Sequence, residues 1–252
     1  DRAGSARARM ASNASDRLAA GQVALVALFV TALVTAQLTA SKLLLFDVPF
    51  GLSLPFTERS LVLPGAALAY AVTFFASDCY SELYGRRPAQ VMVNVGFATN
   101  FVLLALVYTT VQAPIAPFSP VAQGEFSTVL LSSANIVAGS LLAYVVSQNW
   151  DVLAFHALRE RTDGAHLWLR NVGSTATSQA IDTVIFVTVA FWAAPTLLGV
   201  GQANTLDQIL ALIVGQYVLK LAIAVGDTPF VYAVVGAVRG DEPATAPDPA
   251  AD

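Results

Sequence analysis

Lys42 and Lys220 are the two lysines of this chain, and both fall within long apolar runs. Five carboxylates share that setting, inside or at the ends of such runs: Asp78, Glu82, Asp151, Asp182 and Asp227. A charge at bilayer depth costs roughly 2.5–3.5 kcal/mol on insertion scales, so it persists where it faces a protein interior or a wet cavity. Residues of this kind pair with one another, hold a polar ligand, or carry a proton across an apolar layer. The function is expected where they converge.

Each has its own neighbourhood. Thr35, Thr39 and Lys42 follow one another at helical spacing, with Gln37 and Ser41 alongside. Lys42 either extends that stripe or reaches back to the membrane surface. Asp78 and Glu82 lie four residues apart on one helical face, where two like charges repel unless a cation or donor lies between them. Arg86, four residues further, offers Glu82 a partner at the rim. Tyr144, Ser147, Gln148 and Asp151 share another face, and Arg159 or Arg161 gives Asp151 a structural alternative.

Asp182 stands apart. Ser174, Ser178 and Asp182 recur at four-residue intervals, Gln179 precedes Asp182 by one turn, and Ile181, Val184, Ile185 and Phe186 surround it. With no basic residue nearby in sequence, Asp182 is the leading candidate for a ligand contact, the alternative being a structural pair with Lys42 or Lys220. Gln216 and Lys220 are also four apart, and Asp227-Thr228-Pro229 follows them. Pro229 has no N–H for the carbonyl of Val225, so a break is expected there, with Asp227 either capping the second half or lining a cavity.

These residues need a scaffold that crosses a membrane. The 252 residues are 56% hydrophobic and 12% charged, about half the charged fraction of a soluble domain. Apolar runs predict spans at 22–45, 61–82, 91–113, 135–158, 176–198 and 207–238. The first is too long for a cleaved signal peptide and reads as a span. Pro114, Pro117 and Pro120 punctuate the 114–134 connection. The expected fold is therefore all-α, a polytopic bundle of six transmembrane helices in the cell membrane.

Arginine sets the expected direction. Ten arginines lie in the two tails and the even-numbered connections, against Arg59 in the others, which places both termini in the cytoplasm. The expected divisions are a tail at 1–21, a transporter domain at 22–238 and an acidic, Pro/Ala-rich tail at 239–252. His166–Gly173, with Trp168, reads as an interfacial segment. The one cysteine excludes an internal disulfide and a Cys-based metal cage, and two histidines argue against a dedicated zinc site, so no metal and no cofactor are expected. The net charge of −4 argues against a nucleic-acid partner.

Five separated blocks then resemble one family. They are Ala40-Ser-Lys42, Ser77-Asp-Cys-Tyr-Ser-Glu-Leu-Tyr-Gly85, Ser147-Gln-Asn-Trp-Asp151, the Leu167–Asn171 stretch with Ser174 and Ser178–Asp182, and Lys220 with Asp227-Thr-Pro229. Together they resemble the queuosine-precursor transporters, six-span proteins also described as vitamin-uptake-like, over about residues 22–238. The resemblance implies uptake of a 7-deazaguanine such as preQ0, preQ1 or queuine for tRNA modification. A carboxylate suits that ligand, because it accepts two hydrogen bonds in a fork from a ring N–H and its neighbouring amine. The expected substrate contacts are Lys42, Asp78, Glu82, Gln148, Asp151, Gln179, Asp182, Gln216, Lys220 and Asp227, with aromatic stacking from Tyr80, Tyr144, Phe186 or Trp192.

No Walker-type glycine loop occurs, so the chain is not itself an ATPase. A stand-alone carrier, with a homo-oligomer open, is the first expectation. The alternative is the substrate-binding subunit of an energy-coupling-factor transporter, which needs separate ATPase partners. An intramembrane enzyme is a remote third: Gly226-Asp227 has no Tyr-Asp counterpart in the chain, and His156 and His166 lie at the rim.

Overall fold

The computed structural model describes residues 2–48, 53, 55–57, 59–162 and 167–239. Helices dominate: α1 (Arg2–Thr39), α2 (Ala67–Tyr84), α3 (Arg86–Gln112), α4 (Gln123–Arg161), α5 (Leu167–Thr188), α6 (Ala194–Leu198), α7 (Leu206–Gly226) and α8 (Thr228–Arg239). A π-helical turn, Val189–Ala193, joins α5 to α6. Among the described residues five segments are long and apolar enough to cross a bilayer: Ala19–Thr39, Arg86–Gln112, Gln123–Leu158, Gly173–Leu198 and Leu206–Val238. α2 has 18 residues and packs between α1 and α3, but Asp78 and Glu82 dilute its apolar character. The outward faces are apolar, with Val95, Phe101, Val102 and Leu106 of α3 all exposed. So broad an exposed apolar belt needs lipid around it.

Three features differ from the expected all-helical bundle. Leu43–Asp47 (β1) and Ser60–Pro64 (β2) pair antiparallel, Leu43 opposite Pro64 and Asp47 opposite Ser60. Their apolar runs prolong those of α1 and α2 in sequence, so they read as helix ends, while in space they form a hairpin wedged into one end of the bundle. Gly215 of α7 permits that wedge, since a Cβ there would sit 2.1 Å from the carbonyl oxygen of Val62. Second, α1 runs back through the expected N-terminal tail to Arg2, over an alanine-rich stretch of good helix formers. Third, α4 starts at Gln123, so half of the proline-punctuated connection is helical.

Other expectations meet the structure directly. The last apolar run is broken where Pro229 demands it, with Asp227 as the C-cap of α7 and its carbonyl accepting from the N–H groups of Phe230 and Val231. Asp227 thus sits between the two halves, closing α7 and accepting the first backbone bonds of α8. The C-terminal tail beyond Arg239 and His166 lie outside the described residues, as do the side chains of Trp168 and Arg170.

Two apolar clusters hold the bundle, and a polar layer separates them. Towards the hairpin, Ala36, Ala40, Ile136, Phe186, Phe191 and Leu212 pack together. Towards the termini, Phe29, Leu33, Cys79, Tyr80, Met92 and Val235 do so. Small residues on α1 and α4 let the helices approach closely, the usual basis of packing where lipid supplies no hydrophobic drive. The charged residues of interest lie between and below these clusters.

Candidate functional site

The fold joins Asp182 to Lys220. Asp182 projects from the middle of α5 and Lys220 from the middle of α7, and Lys220 Nζ donates to Asp182 Oδ2 at 2.5 Å. The lysine side chain is 7% exposed and the carboxylate 24%, so the pair is not sealed on the aspartate side. Of the two lysine partners open to Asp182 in the sequence, the fold selects the one on α7. Ser147 of α4 stands with its Oγ 3.3 Å from Asp182 Oδ1 and at the same distance from the carbonyl of Tyr144. Asp182 thus keeps acceptor capacity on the side that meets open space, while its charge is balanced from behind.

That space is a cavity of about 170 Å³ between the two apolar clusters. Polar groups enter it from four helices: Thr73 and Ser77 on α2, Ser147 and Gln148 on α4, Gln179 and Asp182 on α5, and Lys220 on α7. Tyr70, Phe74, Phe97 and Phe186 supply flat walls. Phe97 stacks on Tyr144 with ring centroids 4.5 Å apart and planes 19° from parallel. The hydroxyl of Tyr144 is held in turn, accepting from Gln90 and donating to Asn94, each at 2.6 Å. A compact cavity with one charged pair, a few amides and several aromatic faces suits a small planar polar ligand.

Gln216 lies one turn before Lys220, buried, with its Oε1 unpartnered among the described residues. It shares a narrow crevice with Tyr70 and Lys220 behind the cavity. Asp151 is one turn beyond Gln148 and takes a hydrogen bond from Ser178 at 3.3 Å. It therefore belongs to the α4–α5 seam next to the cavity.

A second group of carboxylates forms elsewhere. Asp78 of α2 comes within side-chain hydrogen-bonding reach of Asp227 at the α7–α8 break, and Glu82 adds its charge nearby. An apolar groove of about 390 Å³ borders this group, lined by Ala71, Val72, Phe75, Ile223, Phe230 and Asp227 itself. Neither lysine joins it. Lys42 sits on the bend before β1, its carbonyl accepting from Gly65 N–H at 2.6 Å and its side chain exposed. The structure thus separates the sequence candidates. Gln148, Gln179, Asp182, Gln216 and Lys220 surround one site with Asp151 beside it, whereas Asp78, Glu82 and Asp227 lie apart and Lys42 lies at the hairpin.

Some cavity residues gave little notice in sequence. Tyr70, Phe74 and Phe97 are aromatics within apolar helices, a pattern that reads as core packing. Of the aromatics expected to stack, Tyr144 and Phe186 line the cavity, while Trp192 is exposed and Tyr80 bonds to Gln22 at 2.7 Å in the other cluster. Among the described residues no group of histidine, cysteine and carboxylate side chains could hold a metal ion.

Comparison with known proteins places the chain in a family. Residues 64–234 match the family described as "Putative vitamin uptake transporter". A "Probable queuosine precursor transporter" of Bacillus subtilis (strain 168) is 36% identical over 178 residues, which span 69% of this chain and 72% of the relative. The chain belongs to this vitamin-uptake transporter family. No solved structure matches it. It is a multi-pass membrane transporter of a small molecule and not an enzyme, in keeping with the apolar belt. The matched region of this transporter begins at the end of β2 and includes every candidate site residue except Lys42.

Proposed function

We propose that this transporter imports a 7-deazaguanine, a queuosine or archaeosine precursor, and that Asp182 and Lys220 read its polar edge. One observation carries the reading: a carboxylate and an ammonium from different helices meet in a cavity walled by Tyr70, Phe74, Phe97 and Phe186. A 7-deazaguanine offers a ring N–H and an exocyclic amine side by side, with a carbonyl next to them. Asp182 accepts the two N–H donors, and Lys220 turns from Asp182 towards the carbonyl. Gln179 and Gln148 complete the hydrogen bonding, and the ring stacks on the aromatic walls. In the empty transporter the lysine compensates the aspartate, so the site is not left with an isolated charge. The name of the Bacillus subtilis relative supports the same ligand class.

The arginine distribution supports a direction. α2 serves as the sixth span, both termini face the cytoplasm, and the hairpin faces outward. The transporter then works without an ATPase subunit, and the break at Asp227–Pro229 supplies a joint at the inner side. The test is uptake of labelled preQ0, preQ1 and queuine by cells that lack both their own precursor transporter and coupling-factor ATPases. Uptake of one base, competed by the others and abolished in Asp182→Asn, is the expected result. Absence of uptake by a correctly inserted protein would reject the stand-alone carrier. Restoration on adding coupling-factor subunits would identify a binding subunit instead.

A further inference from the structure

A second polar pocket, of about 100 Å³, opens at the hairpin end. Ser41, Ser132, Asn135, Gln202 and Asn204 reach it, and none of them is charged. Its roof is the loop from Gly199 to Asn204, shaped by Gly199 at φ 66° and Gly201 at φ 78°, backbone settings that a side chain resists. Pro195 explains why the loop stays down. Lacking an N–H, it leaves the carbonyl of Phe191 without its helical donor, and the N–H of Asn204 takes that place at 2.8 Å. The π-helical turn around Phe191 is part of the same adjustment, and such turns recur at functional sites.

Asn135 marks the pocket as more than a gap. Its residue is 3% exposed, and its Nδ2 donates to the carbonyl of Val200 at 2.7 Å, which fixes the orientation of the amide. The remaining Oδ1 is buried and has no partner among the described residues. A buried acceptor left unpaired costs roughly 1–3 kcal/mol, so a donor is missing from this pocket. Ser132 spends its hydrogen on the carbonyl of Thr128 at 2.6 Å and so also offers acceptor capacity.

The pocket is separated from the Asp182 cavity by two rings. Phe191 lines the outer pocket and Phe186 lines the cavity, and they touch edge to face with centroids 5.9 Å apart. We infer that the outer pocket is a first binding station for a flat, neutral, amine-bearing base, which passes inward when the Phe186–Phe191 pair parts. The inference rests on the reading of the Asp182 cavity as a base site. Neutral acceptors hold the donor edge more weakly than a carboxylate, so the base binds loosely outside and tightly inside.

The test is equilibrium dialysis of labelled preQ0 against the full-length protein in detergent, paired with uptake kinetics. Wild type is expected to bind two equivalents, one weak and one strong. Asn135→Leu, and Ser132→Leu, which fills the pocket without touching the Val200 tie, retain the strong equivalent alone. Their half-saturating concentration for uptake rises about three- to tenfold, the factor for one or two neutral hydrogen bonds, with the maximal rate preserved. Asp182→Asn retains the weak equivalent alone. A single wild-type equivalent that is lost in Asp182→Asn and unaffected by either outer substitution would overturn the outer station while leaving the inner site standing. No bound equivalent in wild type would overturn both.

Discussion

Two carboxylate groups lie in this bundle, and their surroundings differ. Around Asp182 an opposite charge is hydrogen-bonded behind the carboxylate, amides stand beside it and aromatic walls enclose the space in front. Around Asp78 and Asp227 two carboxyl groups face one another beside an apolar groove, and both lysines are elsewhere. Charges gathered at depth are therefore not sufficient to define a ligand site. A carboxylate reads a ligand when its own charge is already balanced and its lone pairs remain free in a shaped cavity. On the proposed reading, recognition falls to Asp182 and the Asp78–Asp227 group belongs to the joint between α7 and α8.

The largest expected effect breaks the comparison at its centre. Asp182→Asn lowers uptake by about 100-fold or more, the equivalent of two charge-assisted hydrogen bonds. Asp78→Asn, measured in the same assay at equal membrane abundance, stays within about threefold. Equal losses in both would erase the distinction between the two groups. Stability then sharpens it. Asp182→Asn leaves Lys220 buried without its counter-charge and costs about 3 kcal/mol in a thermal or denaturant melt, whereas the double variant Asp182→Asn/Lys220→Met recovers most of that loss without recovering uptake.

Smaller effects follow outward from the pair. Phe74→Leu and Phe97→Leu raise the half-saturating concentration about fivefold or more, because base–aromatic stacking is worth about 1–3 kcal/mol. Gln179→Leu raises it by up to about tenfold, as expected for a neutral hydrogen bond. Lys42→Met changes uptake by less than about twofold, since that side chain is exposed at the hairpin and away from the cavity. A large loss in Lys42→Met would bring the hairpin into the recognition site.

The same contrast explains how far the sequence could be read. Asp182 and Lys220 were legible because a charge inside an apolar helix has few permitted reasons to exist. The break at Asp227–Pro229 was legible because proline removes a donor whatever the surroundings. The hairpin was not: Leu43–Phe46 and Leu61–Leu63 are short apolar runs next to longer ones, and periodicity does not separate such strands from helix ends. Tyr70, Phe74 and Phe97 look like packing residues until α2 and α3 bring them around one cavity. Asn135 also went unnoticed. A lone amide in an apolar helix signals little until its neighbours are seen to satisfy one end of it and leave the other open. The pairing of Asp182 with Lys220 instead of Lys42 likewise depends on a helix register across 38 residues of chain, which no local pattern fixes.

The most direct measurement pairs a ligand change with a residue change. Binding of 7-deazaguanine and of 7-deazahypoxanthine, which lacks the exocyclic amine, is compared in wild type and in Asp182→Asn. If Asp182 accepts the amine, wild type prefers 7-deazaguanine by about ten- to 100-fold, and the preference shrinks to within about threefold in Asp182→Asn. The same preference in both proteins would contradict the account, because the amine would then be read by another group.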